Sequence, residues 1–149
     1  MTLTRTLGMS RESLRRTLAA LIESGLVGRN PGYGHPLRPE YVLTARGEVV
    51  AAHGGPLVQL LRERGLEEVG LRKWSMPVVH ALAHEPLRFS ELRGRLQGIS
   101  PRALTLALKE LEAAGVVERR VTADYPPATS YRLAADAQAL ASLVGELAG

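Results

Sequence analysis

Cysteine is missing from the 149 residues. Its absence excludes a disulfide framework, a cysteine-held zinc site, a thiol nucleophile and a thiol redox sensor. Aromatic residues make up only 4%, so the core has to be built from Leu, Val and Ala. No apolar run approaches the roughly 18 residues that a bilayer-spanning helix needs. Met1 to Gly8 carry no hydrophobic signal segment, so a cytoplasmic location away from the membrane is expected. Aspartate occurs only at positions 124 and 136. That leaves little material for a carboxylate metal site, and Ser, His and Asp are too scattered for a triad. No enzyme activity, cofactor or metal is expected.

What is present fits a soluble globular chain: 45% hydrophobic and 23% charged residues. The length suits one ordinary domain, or two small ones sharing a core. The net charge is +4, and of the 19 basic residues only Lys73 and Lys109 are lysines. Both halves of the chain carry a small positive excess. A modest basic surplus of this kind points to a polyanionic partner, although a solvated mixed surface has the same composition.

The chain resembles itself when shifted by 90 residues. Gly8-Met9-Ser10 falls on Gly98-Ile99-Ser100. Leu14, Leu18, Leu21, Gly25, Val27 and Arg29 fall on Leu104, Leu108, Leu111, Gly115, Val117 and Arg119. Pro36, Tyr41, Leu43 and Ala45 fall on Pro126, Tyr131, Leu133 and Ala135. The order reads as cap, helix face, terminator and ribbon. Ser10 and Ser100 suit helix N-caps, and Pro101 suits a first helical position. Gly25 and Gly115 suit the left-handed stop. Val27 to Asn30 with Glu40 to Leu43, and Val117 to Ala123 with Thr129 to Leu133, are predicted ribbons. Their loops hold Pro31-Gly32-Tyr33-Gly34-His35-Pro36 and Asp124-Tyr125-Pro126-Pro127. Gly32-Tyr33-Gly34 lacks the strand-to-helix setting of a phosphate loop, so it is a wing tip.

Between the copies, Thr44 is expected to cap a helix from Ala45 to about His53, which Gly54-Gly55-Pro56 breaks. A second helix follows from Pro56 to about Gly65. Ser75 is expected to cap the next helix, with Trp74, Val78, Ala81, Leu82 and Glu85 on one face and Pro86 at its end. Ser90 opens a short helix, Glu91 to Leu96, and Gln97-Gly98 turns into the helix from Ser100. The chain closes with a helix from Ala134 to about Leu147. A short helix, a tight turn, a longer helix and a ribbon make a winged helix-turn-helix. The first copy starts at its second helix, since Met1 to Met9 is too short for the two that precede it in the second copy. The expected fold is α+β, mainly helical: tandem winged helix-turn-helix units, each with a two-stranded wing. Residues 1–55 would be a partial repeat and residues 56–149 a complete domain.

Residues 66–147 resemble the HxlR family of bacterial transcription regulators, relatives of the MarR group. The matching stretches are Lys73-Trp74-Ser75, Glu85 to Leu92, Gly98 to Thr105 and Leu108 to Glu112. They continue through Val117-Glu118-Arg119, Tyr125-Pro126-Pro127 and Ser130-Tyr131-Arg132-Leu133. The resemblance implies a dimeric DNA-binding regulator whose terminal helices form the dimer interface. This chain departs from the pattern at Ala134 and Ala137, where the family usually has Thr and Gly. The first copy keeps them as Thr44 and Gly47. The cysteine frequent near the family's N-terminus is also absent.

The candidate DNA-binding residues follow from the helix wheel. With Leu104 at zero, Leu108 and Leu111 lie within about 40°, while Thr105, Lys109 and Arg102 lie at about 100°, 140° and 160°. That polar face, with Ser100 at the helix start, is the expected reading surface. Arg can grip guanine bidentately, and Lys can meet guanine or phosphate. Leu106, at about 200°, is an apolar residue on the outer side, where it could meet a thymine methyl or protein. Arg119, Arg120 and Arg132 line the ribbon, where arginines meet phosphate or enter the minor groove. In the first copy the counterparts are Arg11, Glu12, Arg15 and Arg16 on the helix, with Arg29 and Arg38 in the ribbon. Because Glu12 replaces Arg102, either the two copies read different bases or the first copy is a non-reading scaffold. His80 and His84 have metal-ligand spacing, yet they face away from the Trp74 side and read as a solvated pair. The expected function is transcription control through duplex DNA, as a homodimer, with any small-molecule effector unidentified. The rival is a winged-helix protein-interaction module without sequence-specific DNA binding.

Overall fold

Two serines start the helices that organise the molecule. In the computed structural model, which describes residues 3–30, 40–123 and 125–148, the Ser10 hydroxyl accepts the Ser13 amide at 3.1 Å. The Ser100 hydroxyl accepts the Ala103 amide at 3.1 Å. Each satisfies one of the amides that a helix start leaves unpaired. The expected loop from Pro31 to Pro36, including Gly32-Tyr33-Gly34, lies outside the described residues, as do Arg38 and Asp124.

The chain divides into two units, Met1–Ala52 and His53–Gly149. The first contains α1 (Leu3–Leu7), α2 (Arg11–Glu23), β1 (Val27–Asn30) and β2 (Glu40–Leu43), and α3 (Ala45–Glu63) begins in it. β1 and β2 pair antiparallel with Val27 opposite Leu43 and Arg29 opposite Tyr41. Gly25, at φ 72°, ends α2: its amide bonds to the Ile22 carbonyl, and the Leu26 amide reaches back to Leu21, both at 2.9 Å. Thr44 then closes the unit. Its hydroxyl donates to the Gly25 carbonyl at 2.6 Å and accepts the Gly47 amide at 3.0 Å. Gly47 is required there, because a Cβ would stand 1.9 Å from the Leu26 carbonyl oxygen.

The second unit contains α4 (Glu67–Gly70), α5 (Ser75–Ala81), β3 (Leu87–Arg88), α6 (Phe89–Arg95) and α7 (Pro101–Ala113). It continues with β4 (Val117–Val121), β5 (Thr129–Leu133), a 3-10 turn (Ala135–Ala137) and α8 (Gln138–Ala148). Its sheet has the order β3-β5-β4 and is antiparallel throughout. Leu104, Leu108 and Leu111 of α7 are buried against a core that includes Val78, Val79, Leu82, Leu92 and Leu140. Trp74 packs on the edge of that core, and the Lys73 ammonium lies 5.2 Å from its ring centroid.

Several local expectations are corrected. Gly54-Gly55-Pro56 does not break the helix: α3 runs through from Ala45 to Glu63. Pro56 removes one backbone donor, but burial of Leu57 and Leu61 holds the second half of α3 in register. Ser75 does not cap α5. Trp74 takes the cap position without a side-chain bond, and Ser75 is 1% exposed inside the helix. α5 ends at Ala81, short of Pro86, so Glu85 is on no helical face. α6 starts at Phe89 behind Arg88, whose amide is held by the Glu91 carboxylate at 2.6 Å. β4 stops at Val121. The strand β3 and the short helices α1 and α4 were not expected. No helix among the described residues is long and apolar enough to cross a membrane.

Candidate nucleic-acid interface

α7 is a two-sided helix. Leu104 and Leu111 are fully buried and Leu108 is 2% exposed. Their burial fixes the rotation of the helix, so Arg102, Thr105, Leu106 and Lys109 face outward, all exposed. These four stand at i, i+3, i+4 and i+7, one continuous strip over the first two turns. The Thr105 hydroxyl donates to the Pro101 carbonyl at 2.9 Å. Arg102 and Lys109 have no hydrogen bond or ion pair among the described residues. Two uncompensated cations on one outward strip of a helix form a surface suited to phosphate or to guanine acceptors.

The ribbon is less uniform than expected. Successive strand residues face opposite sides, so Arg119 and Arg120 are not neighbours on one face. Arg119 stands opposite Tyr131 and Arg120 opposite Ser130. Arg132 is tied to Glu118, its register partner, at 2.6 and 2.8 Å. Arg120 lies 3.9 Å from the same carboxylate. Glu118 thus offsets part of the ribbon's charge, and Arg119 is the exposed ribbon arginine with no partner among the described residues. Ser100, also a candidate, is committed as an acceptor to the Ala103 amide.

Two cations escaped the sequence reading. Arg88 on β3 stands opposite Ser130, which stands opposite Arg120, so the two arginines flank one serine on the same face of the sheet. A two-residue strand leaves no periodic signal, so nothing in the sequence marks that alignment. Arg93, in the last turn of α6, is exposed and carries no partner among the described residues.

In the first unit the helix cations Arg15 and Arg16 are drawn to a carboxylate. Arg15 forms a two-point contact with Glu12, at 2.9 and 3.1 Å, and Arg16 lies 3.6 Å from the same carboxylate. The Arg15 guanidinium holds the Glu12 carboxyl below its ordinary value. Arg11 is exposed at the start of α2, and Arg29 is exposed on β1. His80 and His84 are both exposed.

Residues 69–149 match the HxlR-like helix-turn-helix family. An HTH-type transcriptional regulator of Halalkalibacterium halodurans is 38% identical over 76 residues, covering 50% of this chain and 67% of the relative. The HTH-type transcriptional regulator YodB of Bacillus subtilis is 33% identical over 76 residues, covering 51% and 68%. Among solved structures, the redox regulator HypR in its oxidized form superposes with a TM-score of 0.53 at 31% identity, covering 62% of this chain and 90% of that one. A MarR-family transcriptional regulator from Enterococcus faecalis gives 0.52 at 30% identity, covering 60% and 81%.

Proposed function

The chain belongs to the HxlR-like helix-turn-helix family, and from that premise we propose how it acts as a DNA-binding transcriptional regulator. α7 enters the major groove of duplex DNA and presents Arg102, Thr105 and Lys109 to base edges, with Ser100 at its start. Arg119 and Arg120 follow the backbone from the ribbon. The observation that carries this reading is the outward strip of α7, where both cations are unpaired among the described residues while the opposite face is locked into the core.

Homodimerisation and a cytoplasmic location belong to the same proposal, supported by the kinship with transcription regulators. So does the reading of residues 1–55 as a partial winged-helix repeat, supported by the bonds that recur 90 positions apart. Within it, Arg11, Arg15, Arg16 and Arg29 are the candidate contacts. HypR bears the name of a redox regulator. No cysteine occurs in these 149 residues, so a thiol in this chain cannot carry such a signal. No catalytic step and no cofactor enters the proposal.

The test is the salt dependence of binding to a genomic fragment that carries the upstream region. Arginine and lysine contacts to phosphate release counterions, so affinity should fall steeply with salt. Replacing Arg102 by Ala should cost about 1–3 kcal/mol on the cognate site and little on random DNA if the residue grips a guanine. A flat salt response would remove the DNA contact and leave a protein-interaction module, which the exposed Leu106 also fits.

A further inference from the structure

Leu106 does not belong on the side of α7 where it stands. It is 53% exposed, on the opposite side from Leu104, Leu108 and Leu111. It cannot rotate into the core, because those three fix the helix. Its neighbours on the strip are Arg102 four residues before it and Lys109 three residues after it, both unpaired among the described residues. Thr105, beside it, has its hydroxyl proton engaged by the Pro101 carbonyl. The strip therefore offers two free cationic donors with one bare apolar side chain between them.

That combination selects its ligand. Covering Leu106 with an apolar protein surface would strip water from Arg102 and Lys109 and leave them uncompensated, which is strongly unfavourable. The ligand has to bring negative charge or acceptors to the cations and a small apolar group to the leucine, on one surface. The major groove of duplex DNA does so. It displays phosphates, the O6 and N7 acceptors of guanine, and the C5 methyl of thymine. Four residues of helix rise about 6 Å, and base pairs step by about 3.4 Å. A group touched by Leu106 thus lies one or two base pairs from a base touched by Arg102.

We propose that Leu106 is a specificity-determining residue that reads thymine through its C5 methyl, one or two base pairs from the base that Arg102 contacts. The inference rests on α7 being the reading helix. It adds an apolar element to a surface otherwise made of hydrogen-bond donors, and it predicts a site with a thymine at a fixed distance from an acceptor-rich base. The residue 90 positions earlier is Arg16, drawn toward Glu12, so this apolar element occurs on α7 and not on α2.

The experiment selects duplexes from a random pool with the wild-type chain and with Leu106→Ala. Each thymine of the selected site is then replaced singly by uracil, which lacks only the methyl. One thymine per half-site should be found where uracil weakens the wild-type chain about fourfold, the worth of one buried methyl-sized group. The same replacement should leave Leu106→Ala unchanged, and the variant's pool should lose the preference for thymine at that position. Melting of the variant should match the wild type, because Ala is at least as good as Leu on an exposed helix face. If both chains select the same site and uracil is neutral at every thymine, Leu106 reads nothing, while loss of that selection on Arg102→Ala would keep α7 as the reading helix. If Leu106→Ala weakens random and selected DNA equally, the contact is not to a base and the inference falls. If the wild-type chain selects no sequence at all, the reading of α7 fails and takes this inference with it.

Discussion

Around α2 and α7 the chain closes the same helix-end and ribbon bonds and yet ends with different surfaces. The Schellman-type bonds after α2, from Gly25 to Ile22 and from Leu26 to Leu21, recur after α7 from Gly115 to Glu112 and from Val116 to Leu111. Both glycines sit at φ 72°. The ribbon registers coincide as well, with Val27 opposite Leu43 and Val117 opposite Leu133. Burial does not follow. α7 buries Leu104, Ala107, Leu108 and Leu111, whereas no residue of α2 is fully buried. Leu14, Leu18 and Leu21 stay half-buried. The comparison separates two causes. Caps, left-handed glycines and strand alternation are local and build the same skeleton twice. Packing is not local, and it depends on what lies against the leucine face.

The largest effect should come from setting the two stripes against each other. Leu108→Ala leaves a cavity in a closed core and should cost about 2–5 kcal/mol. Leu18→Ala, at the matching position, removes a half-exposed side chain and should cost about 1 kcal/mol or less. Urea unfolding of both variants measures the difference, and amide exchange assigns it to residues 100–133 or 10–43. Equal losses would mean that the α2 stripe is covered in solution as fully as the α7 stripe.

A second contrast lies just after the ribbons. Thr44 caps α3 at once, and Gly47 lets the first turn of α3 lie against the Leu26 carbonyl. The matching positions hold Ala134 and Ala137. There the chain makes a 3-10 turn first, and α8 begins only at Gln138. Ala134 offers no hydroxyl cap and Ala137 carries the Cβ that Gly47 lacks, and the α-helix starts later. Gly47→Ala should destabilise the first unit by about 1–3 kcal/mol, the cost of forcing atoms into occupied space. Thr44→Ala should cost about 1 kcal/mol through the lost cap. Ala137→Gly should cost about 1–2 kcal/mol, through backbone freedom and the loss of a buried methyl. The sites would be equivalent, and the contrast wrong, if Gly47→Ala left the exchange of the Leu26 and Thr44 amides untouched.

The sequence carried the elements whose causes are local. Ser10, Ser100, Gly25, Gly115 and the strand pairs stand where their chemistry puts them. It misled where a distant contact overrides a local signal. Gly54-Gly55-Pro56 reads as a break, but Leu57 and Leu61 are held by the core and α3 continues. β3 is invisible because two residues become a strand only by pairing with β5. The outward strip of α7 was legible from the leucine spacing, since the buried face dictates the exposed one. The charge actually available on the ribbon was not. Arg132 and Arg120 share Glu118 through cross-strand register and strand alternation, which composition does not reveal.

The smallest effect on stability, and the sharpest test of how the two helices differ, comes from Glu12. Its carboxylate engages Arg15 and lies near Arg16, at the position where α7 carries Arg102. All three side chains are well exposed, and exposed ion pairs contribute little to folding. Glu12→Gln should therefore leave melting unchanged at neutral pH. Glu12 is held below its ordinary pKa, so the pair persists above that ordinary value and is lost only as pH falls through the lowered one. DNA binding should respond differently. If α2 lies along phosphates, releasing Arg15 and Arg16 should steepen the dependence of affinity on salt by about 0.9 for each phosphate newly neutralised. Binding of the variant and the wild type to the same duplex over a salt series gives that slope. An unchanged slope would mean that α2 does not reach the backbone, leaving α7 as the helix that meets DNA.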